Sequence, residues 1–186
     1  MQVVALEIPD VRLLLPKKFG DDRGFFSETY NFMAFRKAGM DLTFVQDNHV
    51  FSAEKWTMRG LHFQSPPYAQ DKLLRVVRGS VLDLAVDIRR GSPTYGRHVS
   101  AVLSAEAWNQ ILVPIGFAHA YLTLEPNTEV LYKVTNYRAP EHDHGLLWND
   151  PDLGIDWPVA EDQVEISEKD RAQPLFRDLH SPFEYR

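Results

Sequence analysis

The sequence of 186 residues contains no cysteine. This absence excludes disulfides, thiolate catalysis, cysteine zinc sites and iron–sulfur clusters, and it suits a reducing compartment. The chain also lacks an apolar run of membrane-spanning length. Glu7, Asp10 and Arg12 interrupt the N-terminal segment, so we expect no signal peptide there. A cytoplasmic protein is therefore expected.

Basic residues are outnumbered, and the formal net charge is −6. General nucleic-acid binding needs a broad basic surface that neutralises phosphates, so this charge argues against a nucleic-acid partner. We expect no membrane partner either. A local basic pocket for one small anion remains compatible with the composition. The length suits one domain over residues 1–186, large enough to bury a core without disulfide or metal.

Short apolar segments separated by turn residues dominate the chain, which is typical of a β-sandwich or barrel. The clearest strand covers residues 81–88, where Leu, Val and Ile alternate with a mixed set of residues. The segment before it ends at Arg78-Gly79, which predicts a hairpin between the two strands. Further strands are predicted over residues 43–50, 99–103, 109–113, 118–124 and 128–137.

Helices are expected to be few. Asn31 is a suitable N-cap for a short helix that buries Phe32 and Phe35. The last quarter of the chain is rich in proline and charge and has little strand periodicity. We expect this tail to wrap over the barrel, anchored by Trp148 and Trp157, because ordering an irregular segment needs large apolar side chains.

Three basic side chains, Arg59, His62 and Lys72, come from one strand-like stretch that is otherwise apolar. A buried guanidinium, imidazole and ammonium repel one another and lose hydration. A fold tolerates them together mainly where an anionic ligand or a developing negative charge offsets that cost. The sequence therefore predicts a functional site here. An ordinary hydrogen-bonded barrel histidine is the alternative interpretation of His62.

The motif Pro114-x-Gly116-x-x-His119 lies between two apolar strand segments. It matches the second signature of the cupin barrel, in which the glycine turns the chain and the histidine points into the barrel. We therefore predict an all-β fold, a cupin-type jelly-roll β-barrel with a few short helices.

A metal centre is not expected in this barrel. Metal-binding cupins carry two histidines one residue apart in their first signature, and with the later histidine these ligate iron, manganese or zinc. The corresponding positions here are His62 and Gln64. Glutamine is a poor replacement for imidazole, and the Lys72 ammonium would repel a divalent cation.

Several segments, spread in order along nearly the whole chain, carry a more specific resemblance. They are Asp22-Arg23-Gly24-Phe25-Phe26-Ser27-Glu28, Phe44-Val45-Gln46-Asp47-Asn48, Arg59-Gly60-Leu61-His62-Phe63-Gln64, Gln70-Asp71-Lys72-Leu73, Val86-Asp87-Ile88-Arg89, Ser92-Pro93-Thr94-Tyr95-Gly96, Pro114-Ile115-Gly116-Phe117-Ala118-His119, Tyr132-Lys133, Trp148-Asn149-Asp150 and Ser167-Glu168-Lys169-Asp170. Together they resemble the dTDP-4-dehydrorhamnose 3,5-epimerases of the dTDP-L-rhamnose pathway. The resemblance implies an isomerase that needs no cofactor and inverts C3 and C5 of dTDP-4-dehydro-6-deoxy-D-glucose.

The resemblance also implies four catalytic residues. A ketone at C4 acidifies the C3 and C5 protons, and inversion needs a base on one face and an acid on the other. By resemblance His62 is the base, and Asp170 is the carboxylate that fixes its tautomer. Lys72 is the cation near the enolate oxygen, and Tyr132 is the acid.

Substrate binding and assembly are implied in the same way. The substrate-binding residues carried over are Arg23, Glu28, Gln46, Asn48, Arg59, His119, Asp143 and Lys169. Many family members have a glutamate where this chain has Asp143, whose carboxylate is shorter by one methylene. The family resemblance further implies a homodimer, which would cover exposed strand edges.

Structural interpretations of these residues stay open on the sequence alone. Asp170 follows a serine at capping-box spacing, so its carboxylate could serve a helix start. Tyr132 and His119 could simply pack in the barrel. Arg23 and Glu28 could form an exposed ion pair.

Three alternative functions also stay open. A 3- or 5-mono-epimerase of another nucleotide-linked 4-keto sugar would use the same frame. A metal-dependent cupin oxygenase or isomerase would hold stoichiometric metal. A sugar-nucleotide-binding module without turnover would bind dTDP but would exchange no protons.

Overall fold

The computed structural model describes residues 1–185, which form thirteen β-strands and two short α-helices. The strands are Gln2–Ala5 (β1), Arg12–Leu15 (β2), Lys18–Asp21 (β3), Gly24–Ser27 (β4), Gln46–Ser52 (β5), Met58–Gln64 (β6), Lys72–Arg78 (β7), Ser80–Asp87 (β8), His98–Ser104 (β9), Gln110–Val113 (β10), Phe117–Thr123 (β11), Thr128–Val134 (β12) and Asp143–Gly145 (β13). The helices are Phe32–Lys37 (α1) and Glu168–Arg171 (α2), and single 3₁₀ turns cover Pro140–His142, Glu161–Gln163 and Phe176–Asp178.

Two antiparallel sheets form the barrel. The larger has the strand order β1-β2-β10-β7-β12-β5, and the smaller has the order β13-β6-β11-β8-β9. A separate hairpin pairs β3 with β4. This arrangement confirms the predicted all-β jelly-roll with few helices, and the predicted strands agree with the observed ones to within a few residues at most ends.

The core between the sheets is apolar over most of its length. Leu74, Val76 and Ile111 of the larger sheet pack with Val81 and Leu103 of the smaller one in a single buried cluster. Alternate residues of a strand face opposite sides of its sheet. Polar residues on the same face of a strand as these core residues therefore point into the barrel.

The outer face of the smaller sheet is also buried, because the C-terminal tail covers it. Trp148 of the tail is 2% exposed and belongs to the cluster that contains Leu84 and Leu122 of the sheet. Trp157 packs against that cluster and donates its indole N–H to the Trp148 carbonyl at 2.9 Å. The predicted wrapping of the tail and its tryptophan anchors are therefore confirmed.

The predicted hairpin at Arg78-Gly79 is wrong. β7 pairs with β10 and β12 of the larger sheet, whereas β8 pairs with β9 and β11 of the smaller one. The chain turns the corner between the sheets at Gly79, whose φ is +77°. A Cβ at this position would lie 2.4 Å from the hydroxyl of Thr128, so glycine permits both the turn and the close contact.

Helix α1 buries only one of the two phenylalanines that its sequence predicts to be buried. Asn31 is its N-cap, with the side-chain oxygen accepting from the Ala34 N–H at 3.1 Å. Phe35 is buried against the larger sheet, but Phe32 is 37% exposed. The helix has only six residues and contacts the sheet through one side. In the part of the chain that is described, no helix is both long and apolar enough to cross a membrane.

Candidate active site

The site is built around His62 at the centre of β6. The β6–β11 register places His62 opposite His119, and the β6–β13 register places it opposite Gly145. Its Nε2 lies 2.6 Å from Oδ1 of Asp170, which the tail supplies from α2. An ionised carboxylate can only accept, so Nε2 carries the proton and Nδ1 is the basic nitrogen of the neutral ring.

Helix α2 aims the Asp170 carboxylate at His62. Ser167 caps the helix, and its hydroxyl accepts from the Asp170 backbone N–H at 3.1 Å. The backbone N–H of Asp170 completes the cap, whereas its carboxylate binds His62, so the alternative in which this carboxylate only serves the helix start is wrong. Burial acts to raise the pKa of Asp170, but hydrogen bonds from His62 and the Gly60 N–H hold that pKa below its usual value.

Lys72 brings a half-buried ammonium next to this pair. Its Nζ donates to the His62 carbonyl at 3.3 Å, and it forms no ion pair with any carboxylate among residues 1–185. Burial lowers the pKa of Lys72 to about 8, while the more distant charges of Asp143 and Asp83 act in the opposite direction. Lys72 is therefore a cation that loses its proton easily and is available to a ligand.

A second imidazole–carboxylate pair lies on the adjacent strands. His119 Nε2 is 3.0 and 2.9 Å from the two oxygens of Asp83, and both side chains are buried. Burial raises the pKa of Asp83, and the charge of His119 opposes that rise. The sequence interpretation did not include Asp83. The sequence does carry a signal for Asp83. It is an acidic residue of the strand over residues 81–88, on the face that carries the mixed set of residues.

Tyr132 of β12 completes the ring of polar groups. A cavity of about 230 Å³ is lined by Val50, Arg59, His62, Lys72, Leu74, His119, Tyr121, Tyr132 and Asp170. An adjoining cavity of about 180 Å³ is lined by Gln46, Asn48, His62, Phe63, Gln64, Gln70, Lys72, Tyr132, Arg138 and Asp143. Burial raises the pKa of Tyr132 above its ordinary value of 10, so its hydroxyl stays protonated at neutral pH.

The structure therefore brings most of the predicted site residues together. Gln46 donates to the Asn48 side chain at 2.8 Å beside the cavities. The Arg59 guanidinium makes only long contacts of 3.4 Å, to the Ser52 hydroxyl and the Phe51 carbonyl. Such contacts are weak, so the guanidinium is free to bind an anion.

Asp143 and Lys169 form an ion pair of 2.7 Å. Asp143 lines both the cavity that contains His62 and a groove that Lys169 also lines. The pair links β13 to α2 next to Asp170. The shorter carboxylate of Asp143 is thus long enough to reach a lysine across this gap.

Two further predicted site residues, Arg23 and Glu28, also line neither of these cavities. Arg23 sits on the β3–β4 hairpin, is 89% exposed and pairs with Asp21. Glu28 accepts a hydrogen bond of 2.6 Å from the Asn31 side chain. The ion pair between Arg23 and Glu28 that the sequence left open does not form.

The position that replaces a cupin metal ligand has a structural role. The Gln64 amide donates to the carbonyls of Tyr68 and Tyr137 at 2.6 and 3.1 Å, and its oxygen accepts from the Ala139 N–H. Gln64 thereby ties β6 to the start of the tail. Residues 1–185 contain no cluster of three or more histidine, aspartate or glutamate side chains placed to hold a metal ion.

Comparisons with known proteins agree with this geometry. Residues 5–178 match the family model described as dTDP-4-dehydrorhamnose 3,5-epimerase. The dTDP-4-dehydrorhamnose 3,5-epimerase of Sinorhizobium fredii (strain NBRC 101917 / NGR234) is 50% identical over 185 residues, which cover 100% of this chain and 94% of that protein.

Solved structures give the same result. The dTDP-4-dehydrorhamnose 3,5-epimerase of Bacillus anthracis str. Ames, solved with TDP and PPi bound, is 48% identical with a TM-score of 0.90, covering 94% of this chain and 98% of that one. The dTDP-6-deoxy-D-glucose-3,5-epimerase of Legionella pneumophila Philadelphia 1, in complex with dTDP-4-keto-L-rhamnose, is 39% identical with a TM-score of 0.94. The match covers 100% of this chain and 98% of that one. This chain belongs to the dTDP-4-dehydrorhamnose 3,5-epimerase family.

Proposed function

We propose that this protein is a dTDP-4-dehydrorhamnose 3,5-epimerase that inverts C3 and C5 of dTDP-4-dehydro-6-deoxy-D-glucose. The observation that carries the proposal is the convergence of the His62–Asp170 pair, the Lys72 ammonium and the Tyr132 hydroxyl on one cavity. These groups are the ones needed to remove and return a proton next to a ketone. The family membership supports the same substrate class.

Each inversion takes two proton transfers. His62 removes the proton from the carbon beside the C4 ketone, and the electron pair of that C–H bond moves to the ketone oxygen to give an enolate. Asp170 stabilises the resulting imidazolium, and Lys72 stabilises the enolate oxygen. Tyr132 then donates a proton to the carbon as the enolate collapses, and before the next inversion the imidazolium releases its proton to solvent while the phenolate takes one up. The sugar is neither oxidised nor reduced overall, so the proposed chemistry calls for no redox cofactor.

Substrate binding follows from the same cavities. Arg59 has a planar guanidinium suited to a diphosphate, and His119 lines the cavity beside it. Gln46 and Asn48 offer amides to the nucleotide from the adjoining cavity. Lys169 and Asp143 would contribute at the rim.

We further propose that the protein is a homodimer. Phe19, Phe25 and Phe26 on the β3–β4 hairpin are 53%, 53% and 65% exposed. Phe19 and Phe26 pair across the hairpin with ring centroids 6.5 Å apart, and Phe25 packs against Trp108. Exposed aromatic side chains of this kind are typical of an interface. A second copy packed on this hairpin would bury them. It would also allow Arg23 and Glu28, which lie away from the cavities of their own chain, to reach the cavity of the other copy.

Replacing His62 by Ala tests the proposed base. We expect kcat to fall by about 10³-fold, because general acid–base catalysis contributes 10²–10⁴, while dTDP affinity changes by less than about threefold. Conversion of the keto-sugar would be measured with the downstream reductase, and dTDP binding by calorimetry. His144→Ala is the matched control, because His144 is a histidine of β13 bonded to Ser65 outside the cavity. An active His62→Ala variant would refute the assignment.

The pH dependence of kcat/KM tests the role of Lys72. The ammonium must be protonated to stabilise the enolate, and its pKa is about 8. We therefore expect kcat/KM to fall as pH rises through about 8, approaching about tenfold per unit above it. Tyr132, whose pKa is raised above 10, does not titrate in this range. A profile that stays flat to pH 10 would contradict the proposal.

The same shift predicts an independent effect on stability. The folded pKa of Lys72 lies below its ordinary value of 10.5, so the unfolded chain binds more protons between about 8 and 10.5. The contribution of Lys72 to the free energy of unfolding therefore rises with pH across that window. Urea unfolding at pH 8 and at pH 10 measures this effect. The free energy of unfolding should rise less between these two pH values in Lys72→Met than in the unaltered protein.

Phe26→Glu tests the dimer. A carboxylate beside Phe19 on the hairpin would have to be desolvated in the interface, so we expect the variant to sediment as a monomer and the unaltered protein as a dimer. Val102→Glu is the control, because Val102 is 54% exposed on β9 of the smaller sheet, outside the hairpin. The proposal fails if the unaltered protein sediments as a monomer at micromolar concentration.

A further inference from the structure

Tyr121 is a buried tyrosine of the catalytic cavity that the mechanism above does not use. It lies on β11 two residues after His119, so both side chains point into the barrel. Tyr121 is 4% exposed and lines the 230 Å³ cavity together with His62, Lys72 and Tyr132. No group in residues 1–185 hydrogen-bonds to its hydroxyl.

This arrangement is unfavourable in the unliganded protein. A buried hydroxyl without a partner loses its hydration and gains nothing in return. Phenylalanine would fill nearly the same volume without that cost. Native proteins satisfy most buried polar groups, and the exceptions often have a functional reason.

The chemical state of the hydroxyl is set by its surroundings. Burial raises the pKa of Tyr121 well above its ordinary value of 10, although the nearby charge of Arg59 acts to lower it. The group is therefore a neutral phenol at any working pH. It can donate one hydrogen bond to an acceptor that enters the cavity.

We infer that Tyr121 is a substrate-recognition residue whose hydroxyl donates a hydrogen bond to an oxygen of the bound hexose. The inference rests on the proposed function, because it takes the cavity of His62 and Lys72 as the sugar site. Those two side chains act on the sugar ring, and Tyr121 lines the same cavity. Gln46 and Asn48, assigned to the nucleotide, line the adjoining cavity instead.

This role predicts opposite effects on stability and on recognition. Removing the hydroxyl relieves an unsatisfied buried group in the unliganded protein, so stability should stay the same or increase. The same change removes a contact to the sugar, so recognition of the substrate should weaken. A hydroxyl that matters only for folding would give the reverse pattern.

The test is Tyr121→Phe. We expect kcat/KM for the keto-sugar nucleotide to fall about tenfold, the effect of one hydrogen bond at the upper end of its usual range. The Tm without ligand should equal or exceed that of the unaltered protein. Calorimetry should give an affinity for dTDP-L-rhamnose that falls by a similar factor, and an affinity for dTDP that changes less than twofold. Tyr95→Phe is the matched control, because Tyr95 packs on Phe176 and does not line the cavity.

Three results would overturn the inference: kcat/KM and dTDP-L-rhamnose affinity within twofold of the unaltered protein, a parallel loss of dTDP affinity, or a lowered Tm without ligand. The binding comparison does not require turnover. An inactive unaltered protein would therefore refute the proposed epimerase function and leave this test in place. An active protein with an indistinguishable Tyr121→Phe variant would refute only the role of Tyr121.

Discussion

The hydrogen bond between His62 and Asp170 is the contact on which the site depends. His62 belongs to a strand of the smaller sheet, and Asp170 belongs to a four-residue helix in the C-terminal tail. So short a helix is not stable alone. Its position is set by the Ser167 cap and by the packing of the tail on the sheet, so the anchoring by Trp148 indirectly determines where the carboxylate lies.

Pairing of an imidazole with a carboxylate also organises the charges inside the barrel. Each imidazole of the cavity has a buried carboxylate behind it, Asp170 for His62 and Asp83 for His119. Each pair compensates the cost of burying its own members. Lys72 has no such partner, and the fields of Asp143 and Asp83 only partly offset its desolvation. The uncompensated positive charge is thus left to act on a ligand, as a site for a developing oxyanion requires.

The sequence was sufficient for the fold class, and it named most of the residues that the fold brings to the two cavities. The alternating strands, the Gly116 and His119 motif and the ordered segments of resemblance all led to a jelly-roll epimerase. The hairpin at Gly79 was predicted wrongly, because a glycine turn between two strands looks the same whether the strands pair or separate into two sheets. Only the long-range pairing with β10 and β11 distinguishes these cases.

The contacts of individual side chains were harder to predict from the sequence than the positions of the strands. Asp83 and Tyr121 lie on strands whose inward residues are a mixture of apolar and polar types. Sequence alone could not tell which of these residues belong to a site and which only pack in the core. The position of Arg23 and Glu28 outside the cavities was likewise not predictable, because the local sequence does not show where the β3–β4 hairpin lies relative to the two main sheets. The roles of the individual site residues remain predictions.

The most direct test of the central claim follows proton exchange in deuterated water. Proton NMR of dTDP-4-dehydro-6-deoxy-D-glucose would record loss of signal at C3 and at C5 separately, with the unaltered protein and with Asp170→Asn. If one His62–Asp170 pair serves both carbons, both signals disappear with the unaltered protein, and both exchange rates fall together in the variant. Exchange at a single carbon would indicate a mono-epimerase, and exchange unaffected by Asp170→Asn would contradict the dependence of the base on its carboxylate.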